Sequence, residues 1–158
     1  MLAENSIKDF NGNIITYEEF EGLAKDFDKS GYEVYIGSDS QLVKEKVSVV
    51  TCVCFHKNSG AGSRIFYVKE RIDKKILPTL RSRMLYEAYK SLEAALEMDP
   101  LISGGLTVHL DIGADPIRCK TAKFKKELTM MVRSQGFGCE VKPYSWASSA
   151  VADRFTKT

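Results

Sequence analysis

The chain has 158 residues, of which 44% are hydrophobic and 28% charged, and its 23 lysines and arginines exceed its 21 acidic residues by two. This composition excludes a disordered chain, and the length predicts that residues 1–158 form one domain. A net charge of +2 excludes a histone-like polybasic protein, so any affinity for nucleic acid has to come from local patches.

The first half of the chain predicts one helix followed by three strands. Thr16 and Glu19 have the spacing of a capping box, and the apolar stripe that follows ends at Ser30 and Gly31. We therefore expect residues 1–30 to form an N-terminal helical extension. Three β-rich runs come next, at residues 33–39, 47–56 and 64–69. Because their linkers are short, they predict an antiparallel meander.

The second half alternates helices with strands. The predicted elements are a helix at 79–98, a strand at 106–111, a helix from Pro116 to Gly136, a strand at 138–143 and a last helix at 145–157, capped by Ser145. Right-handed crossovers place strand 4 beside strand 1 and parallel to it. The predicted fold class is α/β, with helices on both faces of a mixed five-stranded sheet in the order 3-2-1-4-5, strand 2 being antiparallel.

Two aspartates end two strands that this topology makes neighbours. Asp39 ends strand 1 and Asp111 ends strand 4, and parallel neighbours lie about 4.8 Å apart. Sites form at this edge of open sheets, and two carboxylates held together there favour a divalent cation. Oxygen ligands alone favour Mg²⁺ or Mn²⁺. The alternative is that both residues are turn-forming aspartates, since Ser38–Ser40 and Asp111–Gly113 are turn-like.

Three separated motifs resemble the YkuK-like family of predicted ribonuclease H-related bacterial proteins. They are YIGSDSQ at 35–41, VHLD at 108–111 and WASSAVADRFTK at 146–157. The resemblance covers about residues 6–157 and implies a ribonuclease H-like fold. More distantly, the pattern resembles ribonuclease H itself, which has an aspartate on strand 1, a glutamate on the first long helix, an aspartate ending strand 4 and an aspartate on the last helix.

The resemblance implies four catalytic, metal-binding carboxylates, namely Asp39, Glu87, Asp111 and Asp153. It implies a nuclease that hydrolyses a phosphodiester bond in RNA, an RNA–DNA hybrid or structured DNA with one or two Mg²⁺ or Mn²⁺ ions. In a two-metal mechanism one ion activates water and the other stabilises the leaving oxygen. Glu93 is the alternative helix carboxylate. Near the end of its predicted helix Asp153 opposes the helix dipole, which a bound cation would offset.

A basic cluster follows Asp111 in the sequence. Its members are Arg118, Lys120, Lys123, Lys125 and Lys126. They suit contacts with a phosphate backbone, and the alternative is a solvated helix face. Similarly, Tyr144, Trp146 and Phe155 could stack on bases or belong to the core.

Other motifs favour structural roles. Cys52, Cys54 and His56 alternate along one strand face, but residues two apart on a strand are separated by roughly 6.6 Å, a poor match to a zinc site, so buried thiols are expected. His109 could shuttle a proton or be a core residue. The Gly60–Gly62 segment does not match a phosphate-binding loop.

Function and location follow as expectations. The alternative to a nuclease is a non-catalytic module of the same fold that binds nucleic acid or another partner. The N-terminus does not resemble a signal peptide and no apolar run is long enough to span a bilayer, so we expect no membrane partner. The four cysteines are expected to stay reduced in a cytoplasmic protein.

Overall fold

The computed structural model describes residues 1–58, 62–113 and 120–157. The strands within these ranges are β1 (Ile7–Asp9), β2 (Ile14–Ile15), β3 (Glu33–Val43), β4 (Lys46–Lys57), β5 (Gly62–Asp73), β6 (Leu106–His109) and β7 (Gly138–Glu140). The α-helices are α1 (Tyr17–Lys29), α2 (Leu80–Met98), α3 (Lys125–Arg133) and α4 (Asp153–Thr156). Short 3₁₀ turns form at Asp99–Leu101 and Ala122–Phe124, and a π-helical turn at Ala147–Ala152 leads into α4. No helix of the described residues is long and apolar enough to cross a membrane.

The strands form one mixed sheet in the order β2-β1-β5-β4-β3-β6-β7. β3, β4 and β5 are an antiparallel meander, and β6 is parallel to both β3 and β7. The mixed α/β architecture is therefore confirmed. The prediction of five strands is wrong: seven are present, and the full order differs because β1 and β2 extend the sheet beyond β5. The five predicted strands occupy the consecutive places β5-β4-β3-β6-β7.

The hairpin of β1 and β2 is the element that the sequence interpretation missed. Its strands have three and two residues, too few to show an alternating pattern. A signal was nevertheless present in Asn11-Gly12, a favoured hairpin dipeptide, and Gly12 has a φ of +87°. The Asp9 carboxylate accepts hydrogen bonds from the backbone N–H groups of Asn11 and Asn13, both at 2.9 Å.

Several boundaries differ from the predicted ones. β6 ends at His109, so Asp111 lies two residues beyond it, and β3 continues to Val43 in its hairpin with β4. The predicted helix start at Pro116 lies outside the described residues. Ser145 does not cap the last helical region through its side chain: the hydroxyl has no hydrogen-bond partner among the described residues, whereas the carbonyl oxygen accepts from the N–H groups of Ser148 and Ser149.

Alternation along the strands divides the core between the two faces of the sheet. One face packs against α1, α2 and α3 in a cluster that includes Phe20, Ile36, Phe55, Ala88 and Leu128. The opposite face packs against the last helical region in a second cluster that includes Val50, Cys52, Cys54, Tyr67 and Phe155. The sheet is thus covered by helices on both sides. The carboxyl ends of the parallel strands β3 and β6 lie between these two helical layers.

Gly37 allows the last helical region to pack closely on β3. A β-carbon at this position would lie 2.5 Å from the backbone nitrogen of Ser148 and 2.6 Å from the carbonyl carbon of Ala147. Neither is the end of a flexible side chain, so a larger residue would displace the helix backbone. Because α4 begins at Asp153, at the end of the π-helical turn that makes this contact, Gly37 also helps to set the position of that carboxylate.

Gly37→Ala is expected to destabilise the protein by about 1–3 kcal/mol, the usual cost of forcing an extra carbon into a packed core. The measurement is urea unfolding, with Gly22→Ala as the control. Gly22 lies in α1, and a β-carbon at this position would meet no atom within 4 Å. The control should therefore stabilise the protein by roughly 0.5–1 kcal/mol. Equal stability of the two variants would contradict the close approach.

Candidate active site

The parallel pairing of β3 with β6 brings two of the four candidate carboxylates to one place. The pairing ends with Gly37 opposite His109, and Asp39 and Asp111 lie two residues further along their chains. Asp39 is buried, with 7% of its surface exposed. In its protonated form the Asp39 carboxyl group is placed to donate a hydrogen bond to the carboxylate of Asp111 or of Asp153. Three of the four candidates therefore meet around the side chain of Asp39.

Glu87 approaches from α2 on the other side of β3. It is buried, and the Ser40 hydroxyl donates a hydrogen bond of 2.6 Å to its Oε2 atom. One helical turn further on, the Ser91 hydroxyl lies 2.7 Å from that of Ser38 on β3. Ser38 and Ser40 immediately precede and follow Asp39, so these two contacts hold α2 against β3 next to that residue.

Glu93, the alternative helix carboxylate, lies elsewhere. It forms ion pairs with the N-terminal ammonium group at 3.5 Å and with Lys90 at 3.7 Å. Glu87 is thus the helix glutamate that the structure places beside the aspartates.

Burial and mutual repulsion dominate the electrostatics of these acids. Burial raises the pKa of Asp39 to about 8, and the charges of Asp111 and Asp153 act in the same direction. Burial also raises the pKa of Glu87 well above its usual range; the charges of Asp39 and Asp111 add to this, whereas the Ser40 hydrogen bond and Arg83 oppose it. Asp39 therefore retains its proton at neutral pH, and a divalent cation would relieve the same repulsion.

Two lysines contact the outer aspartates, and sequence reasoning missed both. Lys142 Nζ lies 2.9 Å from Asp111 Oδ1, and Lys157 Nζ lies 3.2 Å from Asp153 Oδ2. Lys157 could have been inferred, because it follows Asp153 by four residues on a helix. Lys142 follows β7, where its backbone N–H donates to the carbonyl of Ile112. Lys142 reaches Asp111 only because the segment that follows β7 pairs with the segment that follows β6.

The donor chemistry of the acids suits a hard cation such as Mg²⁺ or Mn²⁺, since all of their ligating atoms are carboxylate oxygens. As the side chains stand, however, no three His, Cys, Asp or Glu residues of the described part of the chain are grouped so that they could hold a metal ion. A divalent ion at Asp111 or Asp153 would have to displace the ammonium group of Lys142 or Lys157 from the oxygen that it contacts.

The cysteine and histidine pattern of β4 is not a zinc site. Cys52 and Cys54 are buried free thiols in the second core cluster, and burial raises the pKa of Cys54 to about 12. The ring nitrogens of His56 instead lie 2.7 Å from the Ser63 hydroxyl and 3.0 Å from the side-chain oxygen of Asn58.

His109 has a structural role, which the sequence left open. Its ring is buried between Tyr35 and Trp146, with both centroid distances at 5.1 Å. Nδ1 accepts a hydrogen bond of 3.0 Å from the backbone N–H of Ala147, and burial lowers the pKa of the ring to about 4. His109 therefore acts as a neutral acceptor that holds the start of the last helical region against β6.

The basic cluster lies on the surface around α3, as far as it is described. Lys120, Lys123, Lys125 and Lys126 are exposed, and Arg118 lies outside the described residues. Two of the three candidate stacking aromatics belong to the packing of the last helical region: Trp146 contacts Tyr35 and Phe155 stacks on Tyr67 with centroids 4.0 Å apart. Tyr144 alone of the three is exposed, at 69%.

The mixed sheet, with acids where β3 and β6 separate, defines an α/β domain of the ribonuclease H type. A family model described as ribonuclease H-like matches residues 16–157, and the chain belongs to that family. It is 26% identical over 155 residues to the uncharacterized protein YkuK of Bacillus subtilis (strain 168), an alignment that covers 89% of this chain and 88% of that protein. The predicted YkuK-like relationship is thereby confirmed. No solved structure matches the chain significantly.

Proposed function

We propose that the protein is a nuclease that depends on Mg²⁺ or Mn²⁺ and hydrolyses a phosphodiester bond in RNA, an RNA–DNA hybrid or structured DNA. The observation that supports this proposal best is the convergence of Asp39, Glu87, Asp111 and Asp153 where β3 and β6 separate. Two of these acids, Asp39 and Glu87, are buried and have raised pKa values, which is unfavourable for folding and typical of catalytic sites. Membership of the ribonuclease H-like family supports the same activity.

In this proposal each acid has a distinct place. Asp39 is the central ligand, because it is buried and faces both Asp111 and Asp153. Glu87 is oriented by the Ser40 hydroxyl, and Asp153, with 40% of its side chain exposed, is open to solvent. Bound Mg²⁺ or Mn²⁺ would supply activation of water and stabilisation of charge on the phosphate.

The basic face supplies the proposed contacts to nucleic acid. Lys120, Lys123 and Lys126 are exposed and, together with Arg118, follow Asp111 in the sequence. Ammonium and guanidinium groups on this surface would bind phosphates without reading the base sequence. The cytoplasmic location expected from the sequence belongs to the same proposal, since it would give access to cellular RNA and DNA.

Lys120→Ala combined with Lys123→Ala is expected to weaken nucleic-acid binding uniformly across sequences and to lower the slope of log K against log salt by about one to two units. Fluorescence anisotropy of a labelled duplex over a range of salt concentrations measures this slope. Lys25→Ala combined with Lys29→Ala removes the same charge from α1 and should leave the slope unchanged. An equal slope in all three proteins would assign the basic face to solvation only.

The experiment that tests the nuclease is a screen of labelled RNA, DNA, RNA–DNA hybrid and junction substrates with Mg²⁺, Mn²⁺ or chelator. The protein should cleave at least one class with metal, and Asp39→Asn and Asp111→Asn should remove that activity. Binding without cleavage would favour the alternative, a non-catalytic nucleic-acid-binding module. The ion pairs of Lys142 with Asp111 and of Lys157 with Asp153 are the observation that favours this alternative.

A further inference from the structure

A positively charged cavity lies on the face of the sheet that carries α4. It is next to the four candidate carboxylates, Asp39, Glu87, Asp111 and Asp153, which we call the acid cluster. Its volume is about 550 Å³, and it is bounded by the β3–β4 turn, by β5 and by the end of α4. The residues that give it its chemistry are Lys44, Lys46, Ser48, Arg71 and Lys157. Ser48 stands directly opposite Arg71 in the β4–β5 register, so both side chains project from the same face of the sheet.

Among the described residues, most of the positive charge of this cavity is uncompensated. Within the described part of the chain, Lys44, Lys46 and Arg71 form no ion pair. The one acid that lines the cavity, Glu45, is paired with Lys74 at 3.0 Å. Asp73 stands opposite Lys46 in the strand register, and its carboxylate accepts a hydrogen bond from a backbone N–H group. A ligand of negative charge would therefore meet several free cations.

Ser48 gives an independent indication of a ligand. Only 4% of its surface is exposed, yet its hydroxyl has no hydrogen-bond partner among the described residues. A buried hydroxyl without a partner is unfavourable, and native proteins seldom leave one so. The hydroxyl can donate a hydrogen bond, and the guanidinium and ammonium groups around it supply further hydrogen bonds and positive charge. A phosphate group binds to this combination of donors and charge.

The cavity is connected to the acid cluster through α4. Lys157 lines the cavity, and its Nζ atom lies 3.2 Å from Asp153 Oδ2. The hydroxyl oxygen of Thr156, which also lines the cavity, lies 2.8 Å from the carbonyl oxygen of Asp153 and 3.3 Å from Gln41 Oε1, and Gln41 follows Asp39 by two residues. A phosphate bound here would therefore lie one side chain away from the carboxylates.

We infer that this cavity is a phosphate-binding subsite that holds a backbone phosphate of the nucleic-acid strand crossing the acid cluster. The inference rests on the proposed function for its choice of a nucleic-acid strand, whereas phosphate binding itself follows from the cavity. Arg71 and Lys46 supply the charge, Ser48 donates a hydrogen bond, and Lys157 stands between the bound phosphate and Asp153.

Titration of inorganic phosphate into Asp39→Asn protein tests the cavity without any cleavage. Adding Arg71→Gln and Lys46→Gln should weaken phosphate binding, followed by nuclear magnetic resonance shifts, by about tenfold, the effect of losing a charged hydrogen-bonding partner. Lys25→Gln with Lys29→Gln in the same background removes the same charge from α1 and should leave the affinity unchanged. Equal weakening in both variants would overturn the subsite, because only net charge would then matter.

Ser48→Ala separates a binding role from a structural one. In phosphate-free buffer its melting temperature should equal or exceed that of the parent, since an unpaired buried hydroxyl is lost. The rise in melting temperature on adding inorganic phosphate should be smaller than for the parent. A lower melting temperature with an undiminished phosphate effect would show that the hydroxyl serves the fold and would overturn its assignment.

An oligonucleotide arm identifies the source of the phosphate. A labelled single strand of about 12 nucleotides should bind Arg71→Gln protein with a salt slope lower by about one unit, and inorganic phosphate should compete with the strand. Phosphate binding with an unchanged oligonucleotide slope would overturn the strand assignment. If phosphate and the strand bind as expected but no substrate is cleaved, the proposed nuclease fails and the subsite stands. If a substrate is cleaved but Arg71→Gln protein binds phosphate and the strand as tightly as the parent, the subsite fails and the proposed nuclease stands.

Discussion

Asp39→Asn is expected to reduce metal-dependent cleavage by roughly 10³-fold, the scale of loss when a principal electrostatic group is removed. In chelator the same variant should melt at the same temperature as the parent or several degrees higher, because folding no longer has to neutralise a buried acid whose pKa the fold raises to about 8. For a chain of this size each kcal/mol corresponds to about 2–4 °C. Activity and stability are therefore expected to change in opposite directions.

Melting curves in chelator and in Mn²⁺ distinguish this expectation from the view of Asp39 as a turn-forming residue. Mn²⁺ should raise the melting temperature of the parent and not that of Asp39→Asn, because a ligand stabilises only the state that binds it. Asp26→Asn, an exposed change on α1, is the control and should behave as the parent does. A loss of about 1 kcal/mol with or without metal would instead indicate a broken side-chain hydrogen bond and contradict the catalytic role.

The free energy of unfolding in chelator is expected to fall by about 1–2 kcal/mol as the pH rises from about 6.5 to about 8. Folded Asp39 holds its proton up to a pKa of about 8, whereas the ordinary value is 3.8. The native state thus binds more protons than the unfolded state in this window, and its stability declines with pH. The raised pKa of Glu87 acts in the same direction.

The choice of pH window matters because His109 has the opposite effect at lower pH. Its pKa is lowered from 6.5 to about 4, so the stability that it contributes is present above about pH 6.5 and is lost as the pH falls toward 4. Urea unfolding between pH 6.5 and 8 therefore isolates the acids. Asp39→Asn should show a much flatter profile than the parent. An equally steep decline in the variant would show that another group carries the dependence.

Much of the scaffold follows from local pattern. The apolar positions at helical spacing after Pro78 predict the extent of α2 from Thr79 to Met98, and the observed helix is capped by the Thr79 side chain. β3, β4 and β5 are predictable as a meander because their apolar runs are long and their linkers short. The hairpin of β1 and β2 is not, because such short strands are stabilised by pairing with β5 rather than by their own pattern.

On physical grounds the candidate site was predictable from the sequence only as far as backbone register determines it, whereas Glu87 and Asp153 were implied by the family resemblance. The neighbouring positions of Asp39 and Asp111 follow from parallel strands alone. The contacts of Ser40 with Glu87 and of Lys142 with Asp111 join residues far apart in the chain through particular side-chain rotamers, which no spacing rule encodes. For the same reason the unpaired Ser48 hydroxyl and the cavity around it become visible only in the folded chain.

The location of Mn²⁺ in crystals, determined from its anomalous scattering, tests most directly whether the four carboxylates form a divalent-metal site. We expect a peak within about 2.0–2.3 Å of carboxylate oxygens of both Asp39 and Asp111, with the Lys142 ammonium group moved away from Asp111. Peaks found only elsewhere, with Lys142 still paired to Asp111, would contradict a metal site at these acids.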